Sequence, residues 1–152
     1  MTPNDVLSRI RYMFDYSDDV MVAVFAAVEH EVTRDQVAHW LAREEDPLYE
    51  PMVDRDLAAF LNGFIVHKRG KLPGPLPVPE NRLDNNLIAR KLKIALNLRG
   101  EDMLRILKLA GFELSNHELS AFFRKPTHKH FRKLNDQGLR YFLRGLQMEH
   151  RP

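Results

Sequence analysis

Asp54-Arg55-Asp56-Leu57-Ala58-Ala59-Phe60-Leu61-Asn62-Gly63 and Asp136-Gln137-Gly138-Leu139-Arg140-Tyr141-Phe142-Leu143-Arg144-Gly145 are two writings of one segment, 82 positions apart. The aspartate, the leucine three residues on, the Phe-Leu pair and the final glycine coincide without a gap. The same register holds upstream, where Met21 falls on Met103, Glu31 on Glu113, Thr33 on Ser115, and Val37 on Leu119. Trp40 falls on Phe122, Leu41 on Phe123 and Tyr49 on Phe131. Matched positions are chiefly apolar or helix-starting, so the packing plan repeats while the surface does not. Each copy is near the lower size limit for independent folding, and burial of part of one copy against the other is expected.

Within each copy the apolar period is helical. Val6, Ile10, Met13 and Phe14 share one face, as do Ile88, Leu92, Ala95 and Leu96. A second helix starts near Ser17-Asp18-Asp19, with carboxylates where the helix dipole favours them. Thr33-Arg34-Asp35-Gln36 and Ser115-Asn116-His117-Glu118 read as capping boxes opening a third helix. A fourth helix is expected to take Asp54 or Asp136 as its N-cap. No alternating strand pattern occurs. The expected fold is all-α, a tandem duplication of two similar four-helix units related by a pseudo-twofold.

Gly70-Lys71-Leu72-Pro73-Gly74-Pro75-Leu76-Pro77-Val78-Pro79-Glu80 separates the copies, and its alternating prolines exclude helix and favour an extended spacer. A plain linker is the expectation, and an SH3-type ligand the alternative. The expected boundaries are an acidic repeat over 1–69, a Pro-rich linker over 70–84 and a basic repeat over 85–152.

The charge is divided between the halves. Residues 1–67 carry 5 Lys/Arg against 13 Asp/Glu, net −8, and residues 68–152 carry 18 against 8, net +10. Such asymmetry points to an anionic partner for the basic half, or to pairing between halves. The 152 residues contain no cysteine, which excludes disulfides and thiolate chemistry and fits a cytoplasmic protein. No apolar run approaches a membrane span, and Met1-Thr2-Pro3-Asn4-Asp5 does not open a signal peptide.

Four blocks carry a family resemblance. They are Asn4 to Tyr12, Phe60-Leu61-Asn62-Gly63-Phe64-Ile65 with Lys68-Arg69-Gly70-Lys71, Leu92 to Leu98, and His117 to Pro126. Together they resemble the bacterial YehS family, a duplicated small domain of unknown function. The resemblance implies a cytoplasmic bacterial protein and supports the duplication, and it implies no activity. The chain departs from it at Ser8, where relatives tend to carry a basic residue.

Chemistry concentrates in the loop after the third helix. The first copy reads Arg43-Glu44-Glu45-Asp46-Pro47-Leu48-Tyr49-Glu50, and the second reads Lys125-Pro126-Thr127-His128-Lys129-His130-Phe131-Arg132. The aromatic is kept while the charge is reversed. Cations there suit phosphate contact, with Phe131 as anchor or base stacker. The expected nucleic-acid site is Asn116, His117, Arg124, Lys125, His128, Lys129, His130, Phe131, Arg132 and Lys133, taking RNA or DNA. Arg90, Lys91, Lys93, Arg140 and Arg144 extend it if they share a face. Asn116, His117, Ser120 and Arg124 form the exposed side of a recognition helix if the segment is a helix-turn-helix.

The alternative is a protein–protein adaptor or a homo-oligomer in which Glu44, Glu45, Asp46 and Glu50 meet the basic loop of another copy. A metal on His117, His128 and His130, or on the acidic loop, is not expected. No Walker A, G-x-S-x-G, G-x-G-x-x-G or H-E-x-x-H motif is present, so neither an enzyme nor a cofactor is expected. His30, His39 and His67 read as isolated core or surface histidines.

Overall fold

The computed structural model describes all 152 residues, and they form eight helices and no strand. Two compact units divide the chain, Met1–Leu83 and Asp84–Pro152. The first contains α1 (Pro3–Phe14), α2 (Asp18–Ala26), α3 (Arg34–Leu41) and α4 (Asp54–Arg69). The second contains α5 (Asn85–Ala95), α6 (Gly100–Leu109), α7 (Asn116–Ala121) and α8 (Asp136–His150). The tandem duplication of a four-helix unit is therefore present.

Six of the eight helices begin where a side chain satisfies a free amide of the first turn, α4 and α6 being the exceptions. Thr2 caps α1 in a closed box with Asp5, and Ser17 caps α2 through the Val20 amide at 3.2 Å. Ser115 and Glu118 close their box in both directions, whereas Thr33 receives the Gln36 amide alone. The fourth helices start one residue earlier than the sequence suggests. Val53 and Asn135 hold the N-cap positions, and only Asn135 supplies a side-chain acceptor, to Gly138. Asp54 and Asp136, expected as caps, are each the first helical residue instead. Asp54 Oδ2 accepts the Leu83 amide at 2.9 Å, and Asp136 Oδ1 accepts from Asn85 at 2.8 Å.

The core of the first unit gathers Leu7, Ile10, Met21, Phe25, Trp40, Phe60, Leu61 and Phe64, all essentially inaccessible. The Phe25 ring lies 5.8 Å from Trp40 and 5.2 Å from Phe60. In the second unit Leu92, Met103, Ile106, Leu139, Phe142 and Leu146 occupy the corresponding interior. Each such side chain contributes about 1.5–3 kcal/mol on burial. The tightest packing is between the second and fourth helices. A Cβ at Gly63 would stand 2.0 Å from the Val24 carbonyl oxygen, and one at Gly145 would stand 2.1 Å from that of Ile106. Those glycines are what let the helix backbones touch.

The segment between the units forms no helix. Its far end is fastened to α4, because Arg55 donates to Asn81 at 3.0 Å and Leu83 donates to Asp54. The first compact unit accordingly runs to Leu83 rather than stopping at the end of α4.

Candidate functional site

The loop between the third and fourth helices is built the same way in both units. In the first, the Asp46 amide donates to the Arg43 carbonyl at 2.9 Å, Tyr49 to Asp46 at 3.0 Å and Glu50 to His39 at 3.1 Å. In the second, His128 donates to Lys125 at 2.9 Å, Phe131 to His128 at 2.9 Å and Arg132 to Ala121 at 3.0 Å. A side-chain turn completes each: Asp46 Oδ1 accepts the Leu48 amide at 2.9 Å, and His128 Nδ1 accepts the His130 amide at 3.0 Å. His128 thus takes the turn-forming role that an aspartate has in the first copy.

One buried asparagine clips each loop to the first helix of its unit. Asn4 donates to the carbonyls of Trp40 and Glu50 at 3.0 and 2.9 Å, and accepts the Met52 amide at 2.9 Å. Asn86 donates to Phe122 and Arg132 at 2.9 Å each, and accepts the Leu134 amide at 2.9 Å. A primary amide alone supplies two donors and an acceptor in this fork. Sequence reasoning passed over Asn4 and Asn86, although both lie in the repeat register with flanking partners that also match.

The expected contact residues of the second loop divide into two groups. Several cations are spent on the protein itself. Arg124 donates to the His130 carbonyl at 3.2 Å and to Ser120 Oγ at 3.3 Å, and Arg90 donates to the Phe123 carbonyl at 2.7 Å. Arg132 lies 5.4 Å from the centre of the Phe122 ring, and Lys93 Nζ lies 5.7 Å from that of Phe123. Lys91 is buried, which removes it from the extended surface patch. Lys125, Lys129 and Lys133 are exposed, and their side chains make no hydrogen bond or ion pair with the chain. Phe131 is half-buried, and His128 and His130 sit with ring centres 5.6 Å apart. Arg140 and Arg144 are exposed on α8.

Asn116, His117 and Ser120 are exposed on α7, but that helix has six residues. At about 1.5 Å per residue it is under two turns long, too short to run along a major groove. Arg124 lies beyond its end and is turned back on the loop, so the recognition-helix arrangement is not formed. The Glu118 carboxyl is held below its ordinary range by the Ser115 backbone amide and then by the Ser115 hydroxyl. That shift belongs to helix capping.

In the acidic loop, Glu44 and Glu45 project without a partner, Asp46 is used in its turn, and Glu50 stands 3.9 Å from His39. His30, read as isolated, pairs with Asp56 at 3.0 Å and stacks on Phe25, while His67 meets Tyr16 edge-on. No group of three or more His, Asp or Glu side chains is arranged to hold a metal ion. No helix is long and apolar enough to cross a membrane.

Fold and site define a duplicated all-helical protein whose units each present an asparagine-clipped loop, one acidic and one basic. The chain belongs to the family described as "Protein of unknown function (DUF1456)", which it matches over residues 3–70 and 85–151. It is similar to "Uncharacterized protein YehS" of Escherichia coli (strain K12), being 42% identical over 147 residues that span 96% of this chain and 94% of that protein. The match confirms the family resemblance read from the sequence. No solved structure matches.

Proposed function

We propose that this is a non-catalytic cytoplasmic protein whose second unit binds the sugar-phosphate backbone of RNA or DNA. Lys125, Lys129 and Lys133 make the primary contacts, and His128, His130 and Thr127 add hydrogen bonds. The observation that carries the reading is the combination of three unpartnered lysines with a loop backbone held by Asn86 and Arg124. Cations on a preorganised loop can meet successive phosphates without ordering it first. Base-specific readout is not part of the proposal, because α7, the helix that carries Asn116 and His117, is too short to run along a groove.

Fluorescence polarisation with labelled single-stranded RNA, single-stranded DNA and duplex DNA tests it. Three lysines on three phosphates give a log–log salt slope of about −2.7 on duplex. Lys125→Glu/Lys129→Glu/Lys133→Glu is expected to abolish binding. Equal binding by variant and wild type would remove the proposal.

A second reading rests on the two loops sharing one backbone conformation with opposite charge. In it, Glu44 and Glu45 of one chain meet the basic loop of another, and the protein is an adaptor or self-associating module. Sedimentation of the purified protein without polyanion separates the two, since only this reading expects assembly there.

A further inference from the structure

The two units differ at one structural detail that points to a ligand. In the second unit, two guanidinium groups brace the loop from outside: Arg90 on the Phe123 carbonyl at 2.7 Å and Arg124 on the His130 carbonyl at 3.2 Å. Shifting by the repeat register of 82 positions puts Ser8 and Ala42 where those arginines stand, and Leu41 and Leu48 where the carbonyls are. Neither leucine carbonyl receives a hydrogen bond from the chain. The backbone that arginines hold in one copy is thus present, and unheld, in the other.

The space the missing side chains vacate is a groove of about 210 Å³, bounded by Asp5, Ser8, Ala42, Glu44 and Tyr49. Arg43 also borders it but makes no bond to either carbonyl. The groove is smaller than the roughly 300–1,000 Å³ of a site for a drug-sized molecule, so it suits a single side chain. Its chemistry is selective. The Leu41 carbonyl and the Asp5 and Glu44 carboxylates offer several acceptors to a planar multi-donor fork, and Tyr49 offers a ring for stacking. A lysine ammonium has the charge without the fork.

We propose that the groove of the first unit binds the guanidinium of an arginine side chain presented by a basic peptide segment of another protein. The arginine takes the place that Arg90 fills internally in the second unit, on the Leu41 carbonyl that corresponds to Phe123. The acidic loop is then a docking site, and it acts independently of nucleic-acid binding by the basic loop.

The experiment is an amide-detected NMR titration of the full chain with acetyl-Gly-Arg-Gly-amide and its lysine counterpart. The arginine peptide is expected to shift the amides of Ala42 to Glu50 and to bind at least ten-fold more tightly than the lysine peptide. Ser8→Arg/Ala42→Arg recreates the second unit's arrangement and is expected to reduce arginine-peptide binding at least ten-fold. Its fold is checked by circular dichroism, and Glu44→Gln provides a milder variant expected to weaken binding several-fold. Equal affinity for the two peptides overturns the proposal, as does unchanged binding in both variants. A dimer of wild type that Ser8→Arg/Ala42→Arg dissolves also overturns it, by assigning the groove to a second copy of this chain.

Discussion

Asn86 Oδ1 accepts the Leu134 amide at 2.9 Å across 48 residues of chain, while its amide nitrogen holds the carbonyls of Phe122 and Arg132. Asn4 makes the same three bonds in the first unit. Replacing Asn86 by alanine strands one donor and two acceptors, some of them buried. Each buried group left unsatisfied costs about 1–3 kcal/mol, partly recovered where water can enter. Asn86→Ala is therefore expected to destabilise the second unit by about 2–4 kcal/mol in urea titrations. Asn86→Asp is expected to do similar damage, since a carboxylate cannot donate to two carbonyls. Wild-type stability in both variants would show that the clip is ornamental.

The helix contact at Gly145 makes a sharper prediction. Gly145→Ala puts a methyl 2.1 Å from the Ile106 carbonyl oxygen, and backbone on both sides leaves little room to yield. A loss of about 3 kcal/mol or more is expected, with the same at Gly63→Ala. Thermal melts of the two variants beside wild type check this; a loss under about 1 kcal/mol would mean that the helices separate easily.

Glu118 offers a titration. Its carboxyl is lowered first by the Ser115 backbone amide and second by the hydroxyl, so the folded value lies below the unfolded one. The capping contribution is then present above the ordinary carboxylate range and is lost as pH falls through the folded value. Ser115→Ala removes the hydroxyl but keeps the amide. NMR titration of the Glu118 carboxyl carbon is expected to show a partial rise, with the value still below an ordinary glutamate.

The two kinds of basic residue in the second loop separate by experiment. Arg124→Ala loses bonds to His130 and Ser120 and is expected to cost about 1 kcal/mol of stability. Lys125→Ala touches no partner and is expected to leave stability within about 0.5 kcal/mol. Under the nucleic-acid proposal it reduces the salt slope of binding by about 1. If Lys125→Ala destabilises the fold instead, the division between bracing and projecting cations fails.

The sequence by itself determined the helical class and the duplication. Apolar residues at helical spacing, capping residues and the matched positions of Trp40/Phe122 and Gly63/Gly145 are local or periodic signals, readable without coordinates. It also located the two loops of opposite charge. Only the tertiary structure decided which polar residues are structural and which are free. A buried asparagine is indistinguishable from an exposed one until its partners, 36 to 48 residues away, are in place. Lys91 and Lys125 are both cations in a basic region, but one is buried and the other is exposed. Asp54 and Asp136 are first helical residues whose carboxylates meet the Leu83 amide and the Asn85 side chain, 29 and 51 residues away. The vacated groove beside Ser8 and Ala42 came into view when the bonds of Arg90 and Arg124 showed what those positions do. Burial and long-range hydrogen bonding are properties of the folded chain, and no window of sequence contains them.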